Sequence, residues 1–279
     1  MTSSAEIDPA KQAMPLPGPR LRSYGAINAR GLWTLYLKEV RRFLKVFQQT
    51  VAAPVVTTLL FFAIFTLALG RTVEMVEGIS FAAFLAPGLV MMAMVQNAFA
   101  NTSSSLVIGK IQGNIVDVLM PPLAPWELTV GYALGGVSRG ILVGLVTAGV
   151  MALLAPVAVH DAAAVVYFAV AACLMLSLLG VIGGIWSEKF EHMAAVTNFV
   201  VTPLTFLSGT FYSIERLPAF WQHVAFANPF FYMIDGFRYG FIGHADAPVW
   251  LGVAVLAAAD ILLMLAAWWM FRTGYRLKA

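Results

Sequence analysis

Charge is scarce in this 279-residue sequence: Asp, Glu, Lys and Arg make up 11% of it, against roughly 25% in an ordinary soluble domain, while hydrophobic residues make up 60%. That composition excludes a soluble enzyme. Because about 20 apolar residues suffice to cross a bilayer, the unit of counting is the membrane span. Cysteine is nearly absent. The single Cys173 excludes an intrachain disulfide and any multi-cysteine metal site, and its place in an apolar run marks it as a small buried hydrophobe. Histidine offers no metal site or catalytic pair either: His160, His192, His223 and His244 fall at span ends or in connecting segments, and none stands at ligand spacing from another. This disfavours an intramembrane enzyme. A Gly-x-x-x-x-Gly-Lys-[Ser/Thr] phosphate loop is missing too. Gly109-Lys110 lacks both the preceding glycine and the following hydroxyl, so the chain is not itself an ATPase. The excess of 17 Lys/Arg over 14 Asp/Glu is too small to suggest nucleic acid. The first thirty residues hold Pro15, Pro17, Pro19, Arg20 and Arg22 but no continuous apolar core, so no signal peptide is expected and the first membrane segment stays in the mature protein.

What the sequence does contain is long apolar runs at about Val51–Leu69, Phe81–Ser105, Leu128–Ala155, Ala163–Trp186, Met193–Phe211 and Val249–Phe271. Each is near the length a span requires, which predicts an all-α, polytopic membrane protein with six transmembrane helices over residues 51–271. Residues 212–248 are apolar in patches but broken by Pro218, Pro229, Gly236, Gly240 and Gly243. They read as short re-entrant helices, since irregular backbone at membrane depth must be shielded by protein or water. Basic residues set orientation. Lys11, Arg20, Arg22, Arg30, Lys38, Arg41, Arg42 and Lys45, with Lys110, Lys189, Arg272, Arg276 and Lys278, fall on one side of a six-span chain; only Arg71, Arg216 and Arg238 fall on the other. Both termini are therefore expected in the cytoplasm, with residues 1–30 a flexible tail and 272–279 a short one.

Residues 31–50 predict a different kind of helix. At 100° per residue Leu32, Tyr36, Val40, Phe43 and Phe47 share one face, and Lys38, Arg41, Arg42 and Lys45 share the other. Such a helix lies along a membrane surface, as a docking surface for a cytoplasmic partner or as a plain anchor feeding the first span.

The loop at about 109–127, between the second and third spans, is both apolar and punctuated. Ile111, Ile115, Val118 and Leu119 fall at helical spacing, Pro121 and Pro122 stop that helix, and Ala124-Pro-Trp-Glu127 starts another. A short amphipathic helix followed by a proline-set turn suits insertion into a groove on a soluble subunit.

At this loop the sequence resembles a family. Gly113-Asn-Ile-Val-Asp-Val-Leu-Met-Pro-Pro-Leu-Ala-Pro-Trp-Glu-Leu-Thr-Val-Gly131 is similar to the coupling-helix loop of type-2 ABC transporter permeases, the membrane subunits of polysaccharide, lipid and drug exporters. Pro203-Leu-Thr-Phe-Leu-Ser-Gly-Thr-Phe-Tyr-Ser-Ile-Glu-Arg-Leu-Pro218 and Asn228-Pro-Phe-Phe-Tyr-Met-Ile-Asp-Gly-Phe-Arg-Tyr-Gly240 are similar to the family's signature region. One departure is Val116, where relatives often place an acidic residue; Asp117 stands next to it. The resemblance implies a half-transporter of the bacterial inner membrane. A homodimer of this chain would form the pathway through the lipid bilayer, and a separate ATP-binding subunit would carry the ATP and Mg, so that no cofactor is bound by the chain itself. Gly113, Asp117, Pro121, Pro122, Trp126 and Glu127 are the residues it assigns to coupling.

Two ionisable residues lie deep in apolar runs, and their cost in hydrocarbon makes each a functional candidate. Arg139 and Asp260 both sit about eleven residues, or roughly 16 Å, from the same surface, so an ion pair between them is expected; the alternative is an Arg139 bonded to backbone carbonyls and an Asp260 facing a polar cavity. Around Arg139, Gly136, Gly140 and Gly144 repeat a small-xxx-small spacing that suits close helix packing, within one subunit or between two. Polar residues along the spans, Thr57, Thr58, Asn97, Asn101, Asn198, Thr202, Thr205 and Ser208, are candidates for lining a translocation pathway, or else hydrogen-bond between helices. In the external segment Glu215, Arg216, Asp235 and Arg238 are expected to pair around Asn228-Pro229, with Phe211 and Tyr212 in an aromatic gate or a membrane-edge belt. Together these point to the permease of an ATP-driven exporter moving an amphipathic, lipid-, glycan- or drug-like substrate. An ion-gradient-driven carrier or channel is the alternative, although neither charged rings nor inverted repeats are evident.

Overall fold

Local sequence signals become helix boundaries throughout the chain. The computed structural model describes residues 27–70, 75–76, 78–155, 158–214 and 217–277; the N-terminal tail with Lys11, Arg20 and Arg22, and also Arg71, Glu215, Arg216 and Lys278, lie outside the described residues. Helix α1 (Ala29–Lys45) starts where the Asn28 side chain accepts the Gly31 N–H at 3.0 Å. It leads through a π-helical turn (Gln48–Ala52) into α2 (Ala53–Leu69). A two-residue-per-strand hairpin, β1 (Met75–Val76) and β2 (Ile79–Ser80), departs from the expected all-α chain and delivers Ser80 as the cap of α3 (Phe81–Ile111). Helices α4 (Ile115–Leu119), α5 (Pro125–Met151) and α6 (Ala162–Trp186) follow, α6 being capped by Asp161. Next come α7 (Phe190–Val196), a second π-helical turn (Thr197–Val201), α8 (Thr202–Leu207), α9 (Ala219–Phe226), α10 (Pro229–Ile242) and α11 (Val249–Thr273).

Among the described residues five helices are long and apolar enough to cross a membrane: Gln48–Ala68, Phe81–Ile111, Pro125–Met151, Ala162–Trp186 and Val249–Thr273. The chain is therefore a helical, multi-pass membrane protein. The expected fifth run, Met193–Phe211, is not among these five. It forms a helix of three joined pieces from 190 to 207, and Glu191, His192, Thr197, Asn198, Thr202 and Thr205 dilute its apolar character.

Helix α3 is the centre of the bundle, packed by α2, α5, α6 and α10. Glycines permit this. A Cβ on Gly140 of α5 would stand 2.7 Å from Cys173 Sγ of α6 and 2.9 Å from Met94 O of α3, and one on Gly136 would fall 2.9 Å from Ala98 O. The small-residue stripe of α5 thus packs helices within the chain. Gly180 and Gly184 of α6 do the same against Phe99, Ser103 and Leu106 of α3, a second stripe that the sequence reading did not single out. Cys173 is fully buried in this seam. Helices α2 and α11, by contrast, expose most of their apolar surface, as elements facing lipid or another subunit do.

Candidate functional site

The two π-helical turns share a cause. A proline lacks an N–H and its ring crowds the carbonyl four residues earlier. Pro54 and Pro203 each fall just after a π turn that holds that carbonyl's residue, Thr50 or Phe199, and the chain absorbs the lost bond by pairing Ala53 N–H with Gln48 O and Thr202 N–H with Thr197 O, five residues back. Both widened turns border the same space. One cleft of about 460 Å³ is lined by Gln49, Thr57, Thr58, Gln96, Asn97 and Thr202, with Phe61, Met92 and Phe206 among its apolar walls. A second, of about 360 Å³, is lined by Gln96, Asn97, Ser103, Ser104, Thr197 and Thr202, with Phe99, Phe190 and Met193. Gln96, Asn97 and Thr202 belong to both, so the two clefts adjoin between α2, α3 and the 190–207 helix.

Of the residues expected along a pathway, the structure places Thr57, Thr58, Asn97 and Thr202 here and the other four elsewhere. Asn101 is fully buried and accepts from Arg42. Thr205 is fully buried with its hydroxyl spent on Val201 O. Ser208 accepts from Asn228 Nδ2 at 2.9 Å and donates to Leu204 O. Asn198 lies on the exposed face of its helix, away from the cleft lining. Gln96, a polar residue of the same apolar run as Asn97, lines both clefts and is central to the site.

The Arg139–Asp260 ion pair does not form. Arg139 Nη2 donates to Asn97 Oδ1 at 2.8 Å, and the Asp260 Oδ1 oxygen has no hydrogen-bond partner in the structure. Equal depth did not suffice, because Arg139 faces α3 from α5, where it bonds Asn97, while Asp260 belongs to α11, which packs on α6 and α10 more than on α5.

Helix α1 is docked rather than free. Along its length Leu35 meets Gly131, Glu39 meets Gly135, and Tyr36 Oη lies 3.0 Å from Ser138 Oγ, so it runs beside the first half of α5. Its buried line is Leu35, Glu39 and Phe43, and Arg42, expected on the charged outer face, is drawn inward. Glu39 is 0% exposed. Its carboxylate accepts from Ser105 Oγ at 2.6 Å and from Arg42 Nη2 at 3.1 Å, while Arg42 also donates to Asn101 O, Asn101 Oδ1 and Ser104 Oγ. This network joins α1 to α3, and an acidic residue three before an arginine was its only sequence signal.

The coupling loop has two faces. Gly113 holds φ at +73°, the left-handed region that favours glycine, and turns the chain from α3 into α4. Ile115 is buried, while Val116 at 52%, Leu119 at 36% and Met120 at 77% exposure form an apolar outer surface, with Asp117, Pro121, Pro122 and Trp126 also exposed. Asp117, Pro121 and Pro122 border a groove of about 900 Å³ whose opposite wall is Asn28, Arg30 and Lys38 of the α1 region. Glu127 differs from the other residues expected to meet a partner. It is 1% exposed, and its carboxylate accepts Asn28 N–H at 2.5 Å and Ala124 N–H at 2.7 Å. It therefore closes the first turn of α5 and clamps the start of α1, because Ala124 and Asn28 each precede a helix and their N–H groups have no intrahelical acceptor. Glu127→Ala is expected to lower stability by about 1–2 kcal/mol, read as a lower midpoint in a thermal melt of the detergent-solubilised chain.

In the external segment Asp235 accepts the N–H groups of Asp246 at 2.9 Å and Ala247 at 3.1 Å, while Glu215 and Arg216, expected to pair with it and with Arg238, lie outside the described residues. Asp246, which the sequence reading missed, accepts in turn from Ser213 Oγ and Ile214 N–H. Arg238 donates to Gly209 O at 2.5 Å and lies 3.9 Å from the centre of the Phe84 ring. Asn228 caps α10 through Phe230 N–H and reaches back to Ser208, with Pro229 in the first turn. Phe211 stacks near Phe65 at 4.5 Å and Phe206 at 5.4 Å, and with Tyr212 borders a hollow that shares Phe61 and Phe206 with the first cleft. Burial pushes the Asp235 carboxyl up to about 6, reinforced by the Asp246 charge and opposed by its two backbone N–H bonds and Arg238. Its value when unfolded is near the ordinary aspartate figure of about 3.9. A raised folded value contributes stability below that figure and loses it as the pH climbs to about 6. The stability difference between the parent chain and Asp235→Asn is thus expected to shift against the parent from pH 4 to pH 6, measured by thermal melts across that range.

These features define a polytopic helical membrane protein with an intramembrane polar cleft and a projecting amphipathic loop. The model of the ABC-2 type transporter family matches residues 30–242, and the chain belongs to that family. The inner membrane transport permease YadH of Escherichia coli (strain K12) is 37% identical over 248 residues, covering 89% of this chain and 97% of the relative. Nodulation protein J of Rhizobium leguminosarum bv. viciae is 28% identical over 192 residues, covering 67% of this chain and 73% of the relative. Membership of the family implies pairing with an ATP-binding subunit, the chain itself being a transport permease.

Proposed function

We propose that the chain is the membrane half of an ATP-driven exporter of the bacterial inner membrane, working as a homodimer of six-span protomers with both termini in the cytoplasm. The 190–207 helix supplies the sixth crossing in this reading. ATP and Mg are held by the separate ATP-binding subunit, and no cofactor by this chain. The observation that carries the reading is the α4 loop. Val116, Leu119 and Met120 are apolar yet exposed, beside Asp117 and Trp126, on a helix whose inner residue Ile115 is anchored in the core. An exposed apolar turn of this kind fits a groove in a soluble partner. The adjoining clefts give an amphipathic substrate a route of amides, hydroxyls and aromatic rings, with Phe211 and Tyr212 as its external gate. The similarity to YadH, an inner membrane transport permease, supports the location. The test is co-expression with a candidate ABC ATP-binding subunit from the same genome. The wild-type pair is expected to co-purify and hydrolyse ATP, and Met120→Glu with Leu119→Glu to release the subunit while the permease melts at an unchanged temperature. Retention of the subunit by the double variant would refute the assignment of this loop.

A further inference from the structure

Among the described residues Arg139 is a cation without a counter-charge. Its guanidinium makes one hydrogen bond, to Asn97 Oδ1, and its Nε has no acceptor. Among the described residues no carboxylate lies within ion-pair distance of it, and a second cation, Arg42, binds Asn101 one turn along α3 from Asn97. Arg42 is itself shared with Glu39, so the surplus charge of the group is positive. Both guanidinium groups stand one side chain behind the clefts, Arg139 behind Asn97 and Arg42 behind Ser104. The described lining of both clefts holds amides and hydroxyls but no carboxylate. In a low-dielectric interior an uncompensated cation is costly unless an anion shares the space.

From this juxtaposition of an unpaired Arg139 with the cleft-lining Asn97, we infer that the cleft binds an amphiphile with an anionic head, a phosphate or carboxylate. The head sits at Gln96, Asn97 and Thr202, and the apolar part lies against Phe61, Met92 and Phe206. This rests on the pathway reading above and names its substrate class.

The first test reads the field directly. A cysteine placed by Gln96→Cys in the full chain, where native Cys173 is buried, is reacted with an anionic sulfonatoethyl and a cationic trimethylammonioethyl thiosulfonate. The anionic reagent, each rate normalised to a free thiol, is expected to be favoured by about fivefold or more in Gln96→Cys. That preference should vanish when Arg139→Gln is added, persist with Arg139→Lys, and vanish with Asn97→Asp, which pairs the cation in place. No preference in the Arg139 protein, or a preference indifferent to these changes, overturns the inference. The second test uses native mass spectrometry with phosphatidylglycerol, phosphatidylcholine and inorganic phosphate. Phosphatidylglycerol is expected to be retained over phosphatidylcholine by the parent and lost by Asn97→Asp. Displacement by phosphate alone identifies the head as sufficient, whereas resistance to it identifies a lipid-borne head. Equal retention of the two lipids refutes the site. Neither arm contains an ATP-binding subunit, so failure of the exporter reading and failure of this one are seen separately.

Discussion

Replacing Glu39 by alanine is expected to destabilise the protein by about 3 kcal/mol, the cost typical of removing one partner from a buried, hydrogen-bonded charge pair. The carboxylate is sealed between α1, α3 and α5, with Arg42 at 3.1 Å, Ser105 at 2.6 Å and the Gly135 backbone close against its stem. Its loss strands Arg42 on Asn101 and Ser104 and removes the anion that offsets it beneath the cleft. Glu39→Gln keeps a partner for Ser105 but not the charge, and is expected to cost roughly half as much, since charge-assisted hydrogen bonds are about twice as strong as neutral ones. A thermal melt followed by size-exclusion fluorescence reads both. Equal stability of Glu39→Ala and the parent would show that α1 is held by its apolar contacts alone. The double variant Glu39→Gln with Arg42→Gln should recover part of the loss, because removing both charges leaves neither unpaired.

Gly140→Val should be as damaging, by about 3 kcal/mol or more, through packing and not charge. A side chain there meets Cys173 Sγ at 2.7 Å, Met94 O at 2.9 Å and Ala98 Cβ at 3.1 Å, so α3 and α6 obstruct it together and backbone cannot rotate away as a side chain can. Gly149, about two and a half turns further along the same helix and so on its opposite face, supplies the control. A Cβ there has nothing within 4 Å, so Gly149→Ala is expected to be neutral or to gain up to about 1 kcal/mol from helix propensity. Expression level and monodispersity of the two variants, side by side, distinguish close packing from a general intolerance of glycine replacement.

Much of the site was legible in the sequence because its signals are local. Pro121 and Pro122 stop a helix whatever surrounds them and Gly113 marks a turn, but the apolar spacing of 111–119 did not say that Ile115 alone of Ile111, Ile115 and Leu119 would be buried. Thr57, Asn97 and Thr202 were found because a polar group in an apolar run is rare enough to notice. The same logic misplaced Asn101, Thr205, Ser208 and Asn198, since polarity within a span does not say which way a side chain points. The resemblance assigns Glu127 to coupling, whereas its place at a helix start, legible in the sequence, commits it to backbone donors within the chain.

By itself the sequence determined the class of the protein. Runs of apolar residues too long for anything but lipid, helix ends set by Asn28, Ser80, Asp161 and Asn228, and the proline-punctuated loop follow from hydration and backbone chemistry acting over a few residues. Only the tertiary structure decided which charges meet. Arg139 turned to Asn97 and not to Asp260, Arg42 turned inward to Glu39 and Asn101, and Asp235 turned to the backbone of 246–247. The reason is that a side chain in a bundle chooses among partners brought within about 3 Å by helix rotation and glycine-set spacing, and neither quantity is written in the one-dimensional order of residues.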